Sequence, residues 1–335
     1  MQFVLITGGL GYIGSHTCAQ LMGHGYEVIL VDNFSNSKRD VLHRIERLAG
    51  KKPIFYEADI LDEKALTTVF KQHKIASVIH FAGLKAVGES VKQPLQYFNV
   101  NIAGSLTLLK VMAVANVKRL IFSSSATVYG SPLAVPIAES HPLSATNPYG
   151  RSKLFIEEIL RDLFISDATW DITILRYFNP VGAHESGLLG ENPNGSPNNL
   201  MPLICQVASG VSDKLLIYGS DYDTPDGTGV RDFIHVTDLA NGHVCALAAG
   251  GVTKALKTFN LGTGTGYSVL QVISTFEKVT GQTVPFEFSP RREGDIGTCY
   301  ADASNAECAI GWKAIHLLPK MCEDAWRYYC FSNCV

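Results

Sequence analysis

Tyr149 and Lys153 are the side chains best suited to chemistry, and they stand four positions apart in the segment Tyr149-Gly-Arg-Ser-Lys153. On a helix, residues with this spacing lie on one face, about one turn apart. A phenol with an ordinary pKa of about 10 is a weak base at neutral pH, but a neighbouring positive charge favours the phenolate. The spacing therefore favours Tyr149 as a catalytic base beside the Lys153 ammonium, and an ordinary surface pair is the alternative.

A glycine-rich turn opens the chain between a predicted strand and a predicted helix. Gly8, Gly11 and Gly14 have the spacing G-x-x-G-x-x-G, after the apolar run Phe3–Thr7 and at the start of a helical pattern over Tyr12–His24. The first glycine permits a sharp turn, the second a close approach of the backbone to a pyrophosphate, and the third close packing of the helix. Because a helix N-terminus offers free N–H groups to phosphates, the pattern predicts a dinucleotide site.

An acidic residue follows at the distance that such a site requires. Asp32 ends the second predicted strand, about 20 residues after the glycines, where a carboxylate accepts hydrogen bonds from the adenosine ribose and repels a 2′-phosphate. NAD is therefore favoured over NADP, and a strand-end turn is the alternative for Asp32. Asp59 and Ile60 close the third strand, where they either reach the adenine or have only a structural role. Phe81–Lys85 follow the fourth strand and are predicted to line the cofactor site.

Short apolar runs alternate with helical patterns in the first half of the chain, which predicts an α/β fold with a doubly wound parallel sheet of the Rossmann type. The predicted strands are Phe3–Thr7, Glu27–Asp32, Pro53–Glu57, Ser77–Phe81, Arg119–Ser123 and Asp171–Arg176. The predicted helices are Tyr12–His24, Glu63–His73 with Asp62 as its N-cap, Gly104–Ala115 and Tyr149–Phe164. Tyr149 and Lys153 thus follow the fifth strand, which runs into Ser123, Ser124 and Ser125.

The pattern changes after about residue 179. Glu191–Asn199 and Asp221–Gly229 are rich in residues that favour turns and are predicted to be loops. Val230–His235 and Thr258–Leu261 are predicted strands, so the chain is expected to re-enter the first domain before leaving it. We expect a dinucleotide-binding domain of residues 1–179 and about 235–262, and a smaller α/β domain of residues about 180–234 and 263–335 over the carboxyl edge of the sheet.

Composition restricts the partners and the setting. With a formal net charge of −3, the chain lacks the basic excess of nucleic-acid binders. Neither a signal peptide nor an apolar stretch of about 18 residues is evident, so a cytoplasmic protein without a membrane partner is expected. The eight cysteines are scattered and are expected to be reduced, and no metal site is predicted. Cys330 and Cys334 are either an incidental pair or a pair that cross-links or binds metal.

Several segments together resemble the extended short-chain dehydrogenase/reductase superfamily and, within it, the UDP-galactose (UDP-glucose) 4-epimerases. They are Thr7–His16, His80–Glu89, Phe122–Gly130, Tyr149–Lys153, Leu175–His184, Asn198–Pro202, Gly227–Asp238 and Pro290–Asp295. The resemblance extends over nearly the whole chain. It implies reversible inversion at C4 of UDP-glucose and UDP-galactose, by transient hydride transfer to a tightly bound NAD through a 4-keto sugar.

The resemblance also implies roles for individual residues. Tyr149 takes the proton of the sugar 4-hydroxyl, Lys153 tunes Tyr149 and holds the ribose, and Ser125 hydrogen-bonds the 4-oxygen. The implied cofactor-binding residues are Gly8, Gly11, Tyr12, Ile13, Gly14, Asp32, Asn33, Asn36, Ser37, Asp59, Ile60, Phe81, Ala82, Gly83, Lys85, Asn101, Ser123, Tyr149, Lys153 and Phe178. The implied substrate-binding residues are Lys85, Ser125, Asn179, Asn198, Asn199, Leu200, Tyr218, Arg231, Arg292, Asp295 and Cys299.

The arginines in this set also make chemical sense, because a guanidinium suits a diphosphate. Without the resemblance, Arg231 and Arg292 could equally be structural ion pairs with the nearby Asp232 and Asp295. The resemblance further implies a homodimer, with the helices near Pro94–Ala115 and Tyr149–Phe164 in contact.

Cys299 departs from the pattern of several bacterial members, which carry a Tyr there. That position borders the sugar pocket in the family, so the smaller Cys could leave space for an N-acetyl group. We therefore expect the chain also to interconvert UDP-GlcNAc and UDP-GalNAc, unless Tyr300 fills the space.

The nearest alternative is another NAD-dependent nucleotide-sugar enzyme, a 4,6-dehydratase or a decarboxylase. Dehydratases typically place Asp-Glu after the active-site Ser or Thr, whereas this chain has Ala126 and Thr127, neither of which can transfer a proton. A dehydrogenase that releases NADH stays open on the residues alone. A non-catalytic NAD-binding protein is disfavoured, because Tyr149, Lys153 and Ser125 are all present.

Overall fold

The computed structural model describes residues 2–195, 197–251, 254–292 and 295–333. Its strands are β1 (Phe3–Thr7), β2 (Glu27–Asp32), β3 (Ile54–Glu57), β4 (Ile75–His80), β5 (Arg119–Ser125), β6 (Asp171–Tyr177), β7 (Asn179–Val181), β8 (Leu215–Tyr218), β9 (Val230–His235), β10 (Leu256–Leu261), β11 (Gly266–Ser268), β12 (Phe286–Ser289) and β13 (Thr298–Cys299). Its α-helices are α1 (Tyr12–Gly23), α2 (Asp40–Ala49), α3 (Glu63–Gln72), α4 (Val87–Lys92), α5 (Pro94–Phe98), α6 (Gly104–Val114), α7 (Pro148–Ser166), α8 (Leu200–Ala208), α9 (Val236–Ala249), α10 (Val269–Thr280), α11 (Ser304–Ile310) and α12 (Leu318–Asn333).

A seven-stranded parallel sheet forms the centre of the molecule, in the order β10-β6-β5-β4-β1-β2-β3. The strand order reverses between β1 and β4, and ligands of open α/β sheets bind in the crevice outside the carboxyl ends at such a point. The predicted doubly wound parallel sheet of the Rossmann type is confirmed.

Both faces of this sheet are covered, which explains why its strands are nearly continuous apolar runs. One face packs on α1 and α9, through residues such as Leu21 and Leu239. The other packs on α3, α6 and α7, through residues such as Leu66, Leu108 and Ile156. The sheet is therefore a rigid support whose carboxyl edge positions the segments that follow each strand.

The second part of the chain has its own sheets and core. β9 pairs with β7, β11 and β13, and β8 pairs with β12. These strands pack on α8, α10 and α12 through a cluster that includes Ile204, Phe276 and Met321. The strand predicted at Thr258–Leu261 lies in the first sheet, as part of β10. The strand predicted at Val230–His235 is β9 and lies in the second sheet.

Most predicted elements are present with small changes at their ends. Ser77–Phe81 is observed as Ile75–His80, and the strand predicted to end at Ser123 continues to Ser125. The Asp62 side chain caps α3 by accepting from the Ala65 N–H at 3.0 Å, as predicted. Four elements of the first half were not predicted from the sequence. They are α2, the short helices α4 and α5, and a π-helical turn over Asn99–Ala103 that joins α5 to α6.

The continuous helical stretch Pro94–Val114 corrects the expectation that the chain has no apolar stretch of about 18 residues. Among the described residues, it is long and apolar enough to cross a membrane by length and composition, with a mean hydropathy of 1.3 over an 18-residue window. Of that window, 44% is buried within the protein, where Leu108 and Met112 pack on the central sheet. A buried core helix passes the same test of length and composition.

The cysteines of the described residues are free thiols, and several are buried in the core. Cys330 is partly buried, and Cys334 lies outside the described residues, so the pairing considered for these two stays a prediction. Over the same described ranges, no group of three or more His, Cys, Asp or Glu side chains is arranged to hold a metal ion.

Candidate active site

The glycine-rich turn lies where β1 passes into α1. Gly8 has a φ of +67°, a left-handed conformation that favours glycine, and a Cβ there would lie 2.7 Å from the backbone nitrogen of Ala82. Gly11 is the N-cap residue of α1 and has no side chain to cap the helix. The first N–H groups of α1 are therefore available to bind an anion. The Leu10 N–H donates to Asp32 Oδ2 at 3.0 Å, which ties this turn to the end of β2.

Asp32, the predicted ribose ligand, also accepts several hydrogen bonds from within the protein. Besides the glycine turn, its carboxylate accepts from the Phe34 N–H at 3.0 Å and from the Ser37 hydroxyl at 2.8 Å. Beside it, the Asn33 side chain donates to Asp59 Oδ2 at 2.8 Å, which joins the loops after β2 and β3. The acidic end of the site is therefore held by hydrogen bonds among the turn after β1 and the loops after β2 and β3.

One cavity of about 330 Å³ runs along the carboxyl edge of the sheet from the glycine turn to α7. The predicted cofactor-binding residues that line it are Gly8, Gly11, Tyr12, Ile13, Gly14, Asp32, Asn33, Asn36, Ser37, Asp59, Ile60, Phe81, Ala82, Gly83, Lys85, Ser123, Tyr149, Lys153 and Phe178. A glycine turn, a helix N-terminus and an acidic group in one cleft fit a dinucleotide.

Asn101 is the predicted cofactor residue that does not line this cavity. It lies buried in the π-helical turn, where its side chain accepts from the Leu84 N–H at 2.8 Å and donates to the Leu84 carbonyl at 3.0 Å. It also donates to the Ser152 hydroxyl at 2.9 Å. Asn101 therefore fixes the segment after β4 and joins it to α7, and its role in cofactor binding stays a prediction.

The predicted catalytic residues meet at the inner end of the cavity. The Asn147 side chain caps α7, so Tyr149 lies in the first turn of the helix and Lys153 one turn later on the same side. The Lys153 ammonium is almost fully buried and donates to the Ser123 carbonyl at 2.8 Å. Ser125 follows at the end of β5, and its hydroxyl accepts from the Thr127 N–H at 3.2 Å. The pairing of Tyr149 and Lys153 on one helix face is thus present beside Ser125.

Burial controls the proton affinities of this group. It lowers the pKa of Lys153 to about 8, while the negative charge of Glu157, one helical turn further on, acts to raise it. Burial raises the pKa of Tyr149, and a hydrogen bond with Ser125 acts in the opposite direction. In the protein alone Tyr149 is therefore a phenol, and the phenolate expected from the sequence requires further positive charge, such as that of an oxidised nicotinamide.

A buried polar network lies beside the predicted catalytic residues, and it was not predicted from the sequence. The Ser124 hydroxyl donates to Glu157 Oε1 at 2.6 Å, and Arg176 Nη2 pairs with Glu157 Oε2 at 2.6 Å. Arg176 also donates to the Tyr129 hydroxyl at 2.9 Å, which in turn donates to Asn260 Oδ1 at 2.6 Å. The chain of contacts links α7, β5, β6 and β10 at fixed distances.

The residues that form the outer wall of the cavity were also not predicted from the sequence. This wall is formed by the loop before α8, by Arg44 of α2 and by Tyr328 of α12. The lining residues of that loop are Leu188, Leu189, Gly190, Glu191, Asn192 and Pro193. Within the sequence this stretch shows only turn-forming composition, which does not reveal what it covers.

The predicted substrate residues divide into two groups. Lys85, Ser125, Asn179 and Asn199 line the same cavity as the cofactor residues. The others lie outside that cavity, in the second part of the chain; they are Asn198, Leu200, Tyr218, Arg231, Arg292, Asp295 and Cys299. The structure therefore brings only part of the predicted substrate set together with the catalytic residues.

Contacts within the second group are specific. The Arg292 guanidinium lies over the Tyr218 ring, 3.7 Å from its centre. Arg231 donates to the carbonyls of Val230 and Gly297, whereas the carboxylate of its neighbour Asp232 accepts from Thr263, Gly264 and Ala301. Arg231 is thus held by backbone carbonyls rather than by the adjacent carboxylate.

Cys299 lies opposite Arg231 in the pairing of β13 with β9. Its side chain is buried in a small cluster with Val128, Tyr129 and Phe178. Burial raises the pKa of its thiol to about 11, so it is uncharged at neutral pH. The cluster joins β13 to the turn that follows Ser125, which places Cys299 between the second part of the chain and that turn.

Comparison with known proteins gives a consistent result over the whole chain. Residues 4–262 match the model of the NAD dependent epimerase/dehydratase family. A UDP-glucose 4-epimerase of Bacillus subtilis is 54% identical over 325 residues, which is 97% of this chain and 96% of that protein.

Two crystal structures of similar proteins superpose closely. The UDP-glucose 4-epimerase of Bifidobacterium longum, in complex with NAD+ and UDP, has a TM-score of 0.96 and 52% identity, with 99% of each chain covered. That of Stenotrophomonas maltophila, with bound NAD and formylated UDP-arabinopyranose, has a TM-score of 0.97 and 50% identity, with 100% of each chain covered. The chain therefore belongs to the NAD dependent epimerase/dehydratase family and, within it, groups with the UDP-glucose 4-epimerases.

Proposed function

We propose that this protein interconverts UDP-glucose and UDP-galactose by inverting C4 of the hexose, with NAD as a tightly held cofactor. The observation that carries the proposal is the meeting of Tyr149, Lys153 and Ser125 at the inner end of the cavity that begins at the glycine turn. The matched relatives are epimerases, and the turn after Ser125 begins with Ala126 and Thr127, which offer no acid for a dehydration.

Tyr149 carries the proton chemistry in this proposal. Its phenolate accepts the proton of the 4-hydroxyl while the C4 hydrogen departs with its electron pair, so that C4 becomes a ketone. NAD, when bound, supplies the acceptor and the later donor of that hydrogen and its electron pair. Tyr149 then returns the proton to the 4-oxygen after the sugar has turned over.

Lys153 and Ser125 position and tune this transfer. The Lys153 ammonium, fixed by the Ser123 carbonyl, favours the phenolate and is placed to donate to the nicotinamide ribose. The Ser125 hydroxyl hydrogen-bonds the 4-oxygen in both orientations of the sugar. Because the cavity floor is the rigid end of β5, these groups stay in place while the sugar ring turns about its link to the diphosphate.

We propose that the uridine diphosphate is anchored by the second part of the chain. Arg231 and Arg292 supply positive charge for the diphosphate, with Asn179 and Asn199 reaching in from the cavity side. The remaining anchoring residues in the proposal are Asn198, Leu200, Tyr218 and Asp295. This assigns NAD binding to residues 1–179 and about 235–262, and UDP-sugar binding to about 180–234 and 263–335.

Cys299 is proposed to widen the substrate range to UDP-GlcNAc and UDP-GalNAc. Its uncharged thiol is smaller than a tyrosine side chain and lies buried in the cluster beside the turn that follows Ser125. Because no tyrosine occupies this position, we propose that an N-acetyl group at C2 of the sugar is accommodated.

We also propose a homodimer, formed by a second copy of the chain on the face made by α5, α6 and α7. This face carries exposed apolar side chains, with Leu95 82% exposed, Phe155 46% and Leu106 37%. Phe98 and Phe155 lie with ring centres 6.2 Å apart, so the two helices form one continuous apolar surface. Such a surface on a protein that acts in the cytoplasm, without membrane or nucleic-acid partners, favours self-association.

The proposal is tested by proton NMR of the purified protein with UDP-galactose and no added NAD, while absorbance of NADH is followed in parallel. Formation of UDP-glucose to a steady ratio, without stoichiometric NADH, is expected. Unchanged UDP-galactose in a folded protein that contains NAD would refute the substrate assignment, and a 4-keto product that has lost water would indicate a dehydratase.

A further inference from the structure

Residues 190–195, here called the strap, cross the mouth of the cofactor cavity. Gly190 pairs with Ala183 and lies against the Tyr328 ring of α12, where a Cβ would collide with the ring. At its other end, the Asn194 N–H donates to Asn36 Oδ1 at 3.0 Å. The strap therefore reaches from the second part of the chain to the loop that follows β2.

Glu191 makes the central contact of the strap. Its Oε1 accepts from Lys85 Nζ at 2.8 Å and from Asn199 Nδ2 at 2.6 Å. Lys85 belongs to the segment after β4, on the cofactor side of the cavity, whereas Asn199 is the N-cap residue of α8. A single carboxylate oxygen thus joins the two walls of the cleft.

The side chains of Glu191 and Lys85 differ in their exposure to solvent. The Glu191 side chain is 9% exposed, while that of Lys85 is 46% exposed. The carboxylate is therefore the buried partner of the pair, and its contact restricts the long, partly exposed Lys85 side chain. Ordering such a side chain in advance removes an entropic cost that a ligand would otherwise meet on binding.

We infer that Glu191 is a positioning residue that holds Lys85 and Asn199 ready for the UDP-sugar and keeps the strap closed over NAD. This inference rests on the proposed function, because it takes the two donors as ligand-binding groups. Glu191 itself needs no contact with the reacting atoms. It acts on binding and on retention of the cofactor, and it leaves the chemical step unchanged.

The test compares holoenzyme carrying Glu191→Ala or Glu191→Gln with the wild type. Asp167→Asn is the matched control, because Asp167 forms a 2.8 Å ion pair with Lys118 near the amino edge of the sheet, away from the cavity. Two quantities are measured: KM and kcat for UDP-galactose, and the fraction of bound NAD that remains after gel filtration. Thermal melting shows whether each variant is folded.

In Glu191→Ala we expect KM to rise about three- to tenfold, kcat to stay within about twofold, and NAD to be lost faster. Glu191→Gln keeps an acceptor oxygen but loses the charge, so its effects should be smaller, and Asp167→Asn should match the wild type. Unchanged KM and NAD retention in both Glu191 variants would overturn the inference, as would a fall in kcat without a change in KM.

A second variant covers the case in which Glu191→Ala does not fold. Asn194→Ala alters an exposed side chain that donates to the Ser35 carbonyl at 3.3 Å, at the far end of the strap. We expect faster NAD loss with KM unchanged, and NAD retention equal to the wild type would count against the strap. If the wild type itself does not convert UDP-galactose, the proposed function fails, while the NAD measurements still test whether the strap retains the cofactor.

Discussion

Replacing Glu157 with Gln should both destabilise the protein and shift its pH profile. The Glu157 side chain is 0% exposed and accepts from Ser124, from Arg176 at 2.6 Å and from Arg161 at 2.8 Å. A glutamine keeps an acceptor for Ser124, but it leaves the Arg176 guanidinium, which is 2% exposed, without its counter-charge.

The magnitude follows from the burial of this pair. Removing one partner of a buried ion pair costs about 3–5 kcal/mol, because the remaining charge is uncompensated. Arg176 keeps hydrogen bonds to the Tyr129 hydroxyl at 2.9 Å and to the Glu139 carbonyl at 3.1 Å. We therefore expect the lower end of that range, a loss of about 3 kcal/mol in the free energy of unfolding.

The pH profile changes because Glu157 acts to raise the pKa of Lys153, which burial lowers to about 8. In the proposed mechanism activity requires the ammonium form of Lys153, so kcat should fall as the pH rises through the pKa of this residue. Without the Glu157 charge this pKa falls further, and the alkaline limb of kcat against pH should move to lower pH in Glu157→Gln.

Glu158→Gln is the matched control for both measurements. Glu158 is the next residue on α7, is 58% exposed and pairs with the same Arg161. Its replacement should change the free energy of unfolding by less than about 1 kcal/mol and leave the alkaline limb in place. Urea unfolding and the kcat profile between pH 6 and 10 are the assays. The reasoning is refuted if the two variants lose similar stability, or if the limb does not move in Glu157→Gln.

Three further predictions concern the catalytic base, the pocket and the assembly. Tyr149→Phe should lower kcat by about 10²- to 10⁴-fold with little effect on KM, and steady-state kinetics with near-normal kcat would exclude Tyr149 as the base. Cys299→Tyr should reduce turnover of UDP-GalNAc far more than that of UDP-galactose; unchanged UDP-GalNAc turnover would make the proposed role of Cys299 wrong. Leu95→Glu should convert the dimer to a monomer in gel filtration. Leu133→Glu changes a leucine that is 83% exposed but lies outside the face formed by α5, α6 and α7, so it should leave the dimer intact. A monomeric wild type would contradict the proposed dimer.

The first half of the fold could be predicted because its signals are local. The glycine turn and Asp32 are fixed by spacing along the chain, and both lie in one cavity. Tyr149 and Lys153 are one helical turn apart, so their shared face also follows from spacing. Each of these needs only one or two neighbouring elements to be correctly assigned.

The missed features depend on contacts between distant parts of the chain. Arg176 and Glu157 belong to different elements, and nothing in the local sequence pairs them. Glu191 meets Lys85 across 106 positions, and its segment shows only turn-forming composition. Among these residues, only Glu157 could have been found from the sequence, because it lies four positions after Lys153 and so on the same helix face.

The central claim is that the hydrogen removed from C4 is returned to the same carbon by a cofactor that never leaves. The most direct test supplies UDP-galactose deuterated at C4 to the protein in ordinary water, with no added NAD, and follows the product by NMR and mass spectrometry. We predict UDP-glucose that keeps its deuterium at C4. UDP-glucose with hydrogen from water at C4, or a conversion that requires added NAD and accumulates NADH, would contradict the account.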